Sequence, residues 1–179
     1  MSRDPRVFRH IPGYEFGHLF DFRQELSDAG VHAPTWAGIH GDSSPDGGAF
    51  SICISGGYED NKDNGDKITY VGSGGRDDDT ERQIAHQSFD NPPNKALLVS
   101  CETKRPVRVI RGADKSNNWA PSKGYRYDGL YVVDSATMRP GKAGYRMCFF
   151  ELRRIKEGNE NLPYRCLTLE KIQKRARNN

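Results

Sequence analysis

Ala49-Phe50-Ser51-Ile52-Cys53-Ile54-Ser55-Gly56-Gly57 interleaves small or polar residues with large apolar ones in a period of two, then stops on paired glycines. Successive side chains of a strand point to opposite faces, so this reads as a half-buried β-strand. Downstream, Lys67 to Val71 reads as the next strand. The intervening Tyr58 to Asp66 carries an Asn64-Gly65 turn signal, but its length predicts a functional loop and not a tight hairpin. Further on, RPVRVIRG from Arg105, DGLYVVDSATM from Asp128 and YRMCFFELRRI from Tyr145 read as three strands, the last two joined as a hairpin across Arg139 to Gly144. Upstream, Gly17 to Leu26 alternates partially and is also read as a strand. Helices are expected at Thr80 to Phe89, at Asn94 to Cys101 and, exposed, at Thr168 to Ala176. The pattern is α+β, mainly β: a twisted, barrel-like β domain with flanking helices.

The chain has 179 residues, enough to bury a core without disulfides, and is expected to form one domain over residues 6–160 with a helical tail at 161–179. Its 27 basic and 24 acidic residues leave a formal net charge of +3, so a polyanionic partner must be engaged through charge placement. Cys53, Cys101, Cys148 and Cys166 form no CxxC pair, and no histidine stands near them at metal-ligand spacing, which predicts buried reduced thiols and no zinc site. No apolar run approaches the roughly 20 residues of a membrane span, and the polar start MSRDPRVFRH does not read as a signal peptide. A soluble intracellular protein without a membrane partner is expected.

Four blocks carry a more specific message: Gly38-Ile39-His40-Gly41, Ser55-Gly56-Gly57-Tyr58-Glu59-Asp60, Thr69-Tyr70-Val71-Gly72-Ser73-Gly74-Gly75-Arg76-Asp77 and Arg126-Tyr127-Asp128-Gly129. In this order the chain closely resembles the SRA (SET and RING associated, or YDG) family, from about Ile11 to about Arg154. The resemblance implies a PUA-like twisted β-barrel that binds double-stranded DNA with methylated cytosine, rotating the base out of the helix. Extrusion exposes the whole Watson–Crick edge and the 5-substituent to inspection. Tyr58 and Tyr70 match the family's two stacking tyrosines; taken alone they read as sheet-core residues, and the surrounding blocks reverse that preference. Gly56, Gly57 and Val71 match backbone that lines the pocket, and Ser73 matches the residue beside the 5-methyl group, with room for a methyl or a hydroxymethyl. The Gly-rich run itself also reads as a plain turn or a phosphate cradle. The resemblance further implies a nuclear location, histone-modifying or chromatin partners, and no cofactor, metal or catalytic residue.

Departures from the family pattern matter. Its cytosine-reading aspartate is Asn61 here. A carboxamide offers both a donor and an acceptor, so one orientation matches cytosine and the flipped one matches thymine. Asn61 is therefore expected to discriminate less sharply than aspartate unless a second layer of contacts fixes its orientation. The finger that reads the partner strand with Asn-Lys-Arg in vertebrate members is Glu81-Arg82-Gln83, which argues against strict hemimethylated CpG preference; Arg82 and Gln83 either reach a base or belong to a capped surface helix. Trp36 falls at the thumb that fills the gap left by the base, and reads equally as a core tryptophan. Arg105, Arg108, Arg111, Lys115, Lys123 and Arg126, followed by Arg139, Lys142, Arg146, Arg153 and Arg154, supply phosphate contacts if they share the pocket face. Two rival classes remain: a modification-dependent nuclease assembled from His40, His86, Asp60, Asp63 and Asp77, and an RNA-binding PUA-like module. No HNH-like or PD-ExK-like cluster supports the first, and His40 is expected to make a structural hydrogen bond.

Overall fold

The computed structural model describes residues 3–158. The expected tail helix lies outside the described residues. Eight strands and two helices follow in the order β1 (Leu19–Phe20), α1 (Arg23–Ala29), β2 (Ile39–Asp42), β3 (Gly48–Ile54), β4 (Lys62–Asp63), β5 (Lys67–Val71), α2 (Pro92–Thr103), β6 (Val107–Gly112), β7 (Tyr125–Pro140) and β8 (Arg146–Arg154). The sheet runs β2-β3-β6-β7-β8-β5-β4, with β1 paired to β7 off this path. All pairings are antiparallel except β3 with β6, where Ser51 to Ile54 lie beside Arg108 to Arg111 in parallel. The domain is mainly β with two helices. Its ladder is an open path ending on β2 and β4, so the expected closed barrel is not what the hydrogen bonds describe.

The alternating stretch is β3, but every residue of it is buried. Ile52 and Ile54 face a large core with Leu97 of α2, Val109 of β6 and Phe150 of β8. Cys53 faces a second core with Leu26 of α1, Ile110 and Tyr127. Helix α2 on one side, and α1 with the residues after it on the other, turn a half-buried pattern into a fully buried strand. The segment from Gly17 to Leu26 divides into β1 and the start of α1, because Leu26 and Ala29, spaced for one helix face, both bury against this second core. α2 opens on Pro92, whose missing N–H costs nothing in the first turn.

Two further expectations change. Asn64-Gly65 does turn a hairpin, since Lys62 and Asp63 pair with Thr69 and Ile68 and the N–H of Asn64 donates to the carbonyl of Lys67. Thr80 to Phe89 forms no helix. The Asp77 carboxylate accepts from the N–H groups of Asp79 and Thr80 and from the Thr80 hydroxyl, Glu81 adopts φ 58°, and Arg76 bridges to Gln83. A side chain that satisfies turn N–H groups locally competes with helix formation.

Candidate nucleic-acid interface

β3 ends at Ile54, and Gly56 turns the chain with φ +71°; a Cβ there would stand 2.9 Å from an Asp114 carboxylate oxygen. The loop then carries half-buried Tyr58 onto Val71, Met147 and Phe149. Tyr70 projects from β5 into the large core and is only 7% exposed. Its hydroxyl lies where a Cβ on Gly38 would approach to 2.9 Å, so the glycine before β2 makes room for it. Burial raises the Tyr70 phenol far above its ordinary range and the Cys53 thiol to about 11, which keeps both neutral. Tyr58, Tyr70, Asn61, Gly57, Cys53 and Trp36 line one cavity of about 150 Å³. An engineered cavity of roughly this size admits a benzene ring, so the space suits one six-membered ring.

Asn61 sits at the cavity edge, its Oδ1 accepting the N–H of Val71 at 2.8 Å. Arg76 lies 4.6 Å above the Tyr58 ring and donates through Nε to the Glu81 carbonyl at 3.0 Å. It thus links the cavity wall to the 77–83 turn. Arg82 and Gln83 line a neighbouring cavity of about 380 Å³ together with Tyr58 and Arg76. The Gln83 amide nitrogen is already committed to the carbonyls of Gly74 and Ala85.

Trp36 is 93% exposed, which excludes the core-tryptophan reading. Its loop is nonetheless held firmly. Arg23 Nη2 donates to the carbonyls of Pro34 and Ala37, each at 2.7 Å. His32 donates from Nε2 to the Ala37 carbonyl at 2.9 Å, while Nδ1 meets the Ser51 hydroxyl at 2.6 Å. Burial pushes the His32 pKa down to about 3.

Other named residues lie elsewhere. Gly56 borders a separate cavity of about 510 Å³, and the Val71 side chain joins the apolar cluster under Tyr58, leaving its N–H as its contribution to the site. Ser73 is tied to the start of α2: its N–H donates to Asn94 Oδ1, and Asn91 Nδ2 reaches its hydroxyl at 3.3 Å. Arg108, Arg111, Arg126 and Arg154 are buried and bonded internally, so none of them faces a phosphate. Arg111 is bidentate to Asp63 at 2.7 and 2.9 Å and meets Asp128 at 2.8 Å. Burial alone would raise the Asp63 carboxyl; the Arg111 bonds and charge outweigh it and hold Asp63 below its ordinary range. Lys142, at the β7–β8 turn, donates its N–H to Asp60 and its ammonium to the Glu59 carbonyl, bringing a cation to the rim of the neighbouring cavity of about 380 Å³.

The residues suggested for a nuclease do not converge. Asp63 is spent on Arg111, Asp77 on its turn, Asp60 on Lys142, and His86 accepts the Arg146 N–H. His40 stacks 5.1 Å from Phe50 with Nδ1 buried and unbonded, not in the expected hydrogen bond. Among the described residues no three His, Cys, Asp or Glu side chains gather at metal-binding distance, and no helix is long and apolar enough to cross a membrane. Arg23, Gly38, Cys53 and Arg76 belong to the cavity but escaped the sequence reading. Gly38 and Arg76 stood inside recognised blocks; Arg23 and Cys53 did not.

The SAD/SRA domain family profile matches residues 7–158. A UHRF1-like protein of Cryptococcus neoformans var. grubii is 46% identical over 165 residues, covering 86% of this chain and 48% of that protein. Among solved structures, a modification-dependent TagI restriction endonuclease superposes with a TM-score of 0.80 at 42% identity, over 85% of this chain and 53% of its own. The SUVH5 SRA domain bound to fully hydroxymethylated CG DNA superposes with a TM-score of 0.74 at 38% identity, over 88% of this chain and 99% of its own. The chain spans about half the length of the Cryptococcus relative and nearly the whole of the SUVH5 domain.

Proposed function

Because this chain belongs to the SAD/SRA domain family, we propose that it reads modified cytosine in duplex DNA by taking the flipped base between Tyr58 and Tyr70. The observation that carries this reading is a ring-sized cavity lined by two tyrosines and by an exposed tryptophan whose loop is held by Arg23 and His32. Extrusion costs a few kcal/mol, and base–aromatic stacking returns about 1–3 kcal/mol per base. Trp36 enters the gap in the duplex and stacks where the base stood. Arg82 lies on the side of the partner strand, while Gln83 shapes the turn that presents it. Gly57 supplies backbone beside the ring, and the Val71 N–H holds Asn61 at its edge.

The module runs over residues 6–160, with 161–179 as a tail, and acts in the nucleus as a binding unit without chemistry of its own. Its sheet is the family's PUA-like barrel in a curled, open form. That description draws support from Ile39 of β2 and Ile68 and Tyr70 of β5, near opposite ends of the path, which pack in one core.

The deciding experiment is a binding panel at fixed salt, with unmodified, hemimethylated, fully methylated and hydroxymethylated duplexes. Wild type binds the modified duplexes at least about ten-fold more tightly, and Tyr58→Ala loses that preference, as removal of one stacking platform costs about 1–3 kcal/mol. Equal affinity across the panel would defeat the reading. Cleavage of methylated DNA in magnesium or manganese would instead establish the nuclease class.

A further inference from the structure

Asn61 lines the base cavity with an amide whose two ends are in unlike situations. Its oxygen accepts the Val71 N–H at 2.8 Å, and its own N–H donates to the Tyr58 carbonyl at 3.2 Å, which ties the loop at that point. Its amide nitrogen makes no hydrogen bond among the described residues. A backbone N–H can only donate, so the oxygen must face Val71 and the nitrogen must face away. Turning the amide over would set two donors against each other and leave the Val71 N–H without an acceptor, a cost that converts to roughly ten-fold or more in affinity.

We propose that Asn61 is an orientation-locked, uncharged discriminator between cytosine and thymine. The second lone pair of Oδ1 accepts from the cytosine amino group, and Nδ2 donates to the unprotonated ring N3. Thymine presents the reverse pattern, an acceptor at O4 and a donor at N3, and meets a donor with an acceptor and an acceptor with a donor only if the amide turns over. The inference rests on the base-flipping reading. It also separates this pocket from one with a carboxylate at the same place: a carboxylate sets an oxygen against the N3 lone pair and is relieved by a shared proton, whereas the amide needs none.

The groups facing Asn61 do not confuse that distinction. They are Arg23 from α1, Cys53 from β3, Tyr58 and Glu59 from the loop, Asp63 from β4, Tyr70 from β5, Arg76, and Asp114 after β6. None is a histidine, the side chain whose ordinary titration falls between about pH 6 and about pH 8.

The test uses duplexes with one mismatch each, 5-methylcytosine opposite adenine and thymine opposite guanine, so that both target bases carry the 5-methyl group and both leave a weakened pair. Wild type binds the methylcytosine duplex about ten-fold or more tightly, with a ratio and an affinity that stay flat from about pH 6 to about pH 8. Asn61→Ala brings the ratio to within about three-fold of unity. Asn61→Asp, a second variant that keeps the acceptor for Val71, keeps the preference but binds more tightly as the pH falls. Thermal unfolding of both variants verifies that they are folded. If wild type fails to prefer methylated over unmodified matched duplexes, the base-flipping reading falls. If that preference holds but thymine binds equally, or Asn61→Ala keeps the wild-type ratio, or wild type follows the pH slope of Asn61→Asp, the inference about Asn61 is overturned while the reading stands.

Discussion

His32 shows how one buried side chain carries a pH dependence with a defined sign. Its ring is neutral in the folded state, with its pKa pushed by burial down to about 3, while in the unfolded chain it titrates near about 6.5. The unfolded chain therefore takes up the proton first as the pH falls. Stability is full above about pH 6.5 and is lost toward about pH 3, at up to about 1.4 kcal/mol per pH unit. His32→Asn flattens the loss between about pH 6 and about pH 5, above the range where carboxylates dominate; urea unfolding at the two pH values measures it. His32, Arg23 and Arg76 were illegible as site residues because each acts through atoms that only the fold brings near: Ser51, the Ala37 carbonyl and the Tyr58 ring. Tyr58, Tyr70, Asn61 and Trp36 were legible because they stand within or beside short blocks whose order is itself specific. The Val71 anchor on Asn61 was not, since which end of an amide is bonded depends on a strand register.

At the scale of elements, β4 is only two residues long, and its place depends on charge rather than on ladder length. Asp63 joins it to Arg111 of β6, which also reaches Asp128 and the Tyr131 hydroxyl of β7, so the base-pocket loop and the Tyr-Asp-Gly block share one buried cluster. Asp63→Ala leaves Arg111 short of a partner in the interior and is expected to destabilise the protein by about 3–5 kcal/mol in urea unfolding, with lost binding following from a misplaced loop. Arginines flanking an apolar pair in Arg108-Val109-Ile110-Arg111 cannot by themselves tell a phosphate-facing strand from one whose arginines meet buried partners. Those partners lie 48 residues before Arg111 and 17 after it. The strands themselves were readable, since period-two alternation depends on neighbours alone. The 77–83 segment departs from a helix for a related reason: Thr80 is a good helix cap, but the Asp77 carboxylate holds its N–H and hydroxyl in a turn.

Across the whole molecule, the burial of Arg108, Arg111, Arg126 and Arg154 concentrates DNA attraction on fewer cations than the sequence suggested, among them Lys142 beside the cavity that Arg82 and Gln83 line. Lys142→Ala is expected to reduce the slope of log affinity against log salt by about 1 and to weaken modified and unmodified duplexes alike, as titrations at several salt concentrations will measure. The mainly β character was visible from the sequence, whereas closure was not, because whether a curled sheet joins its edges depends on which strands remain unpaired. Those edges, β2 and β4, are four and two residues long, and β2 is interrupted by a register shift between His40 and Gly41. Short, kinked edges offer little template for a foreign strand, so many copies crowded along a densely modified stretch of DNA have scant backbone through which to zip together and aggregate.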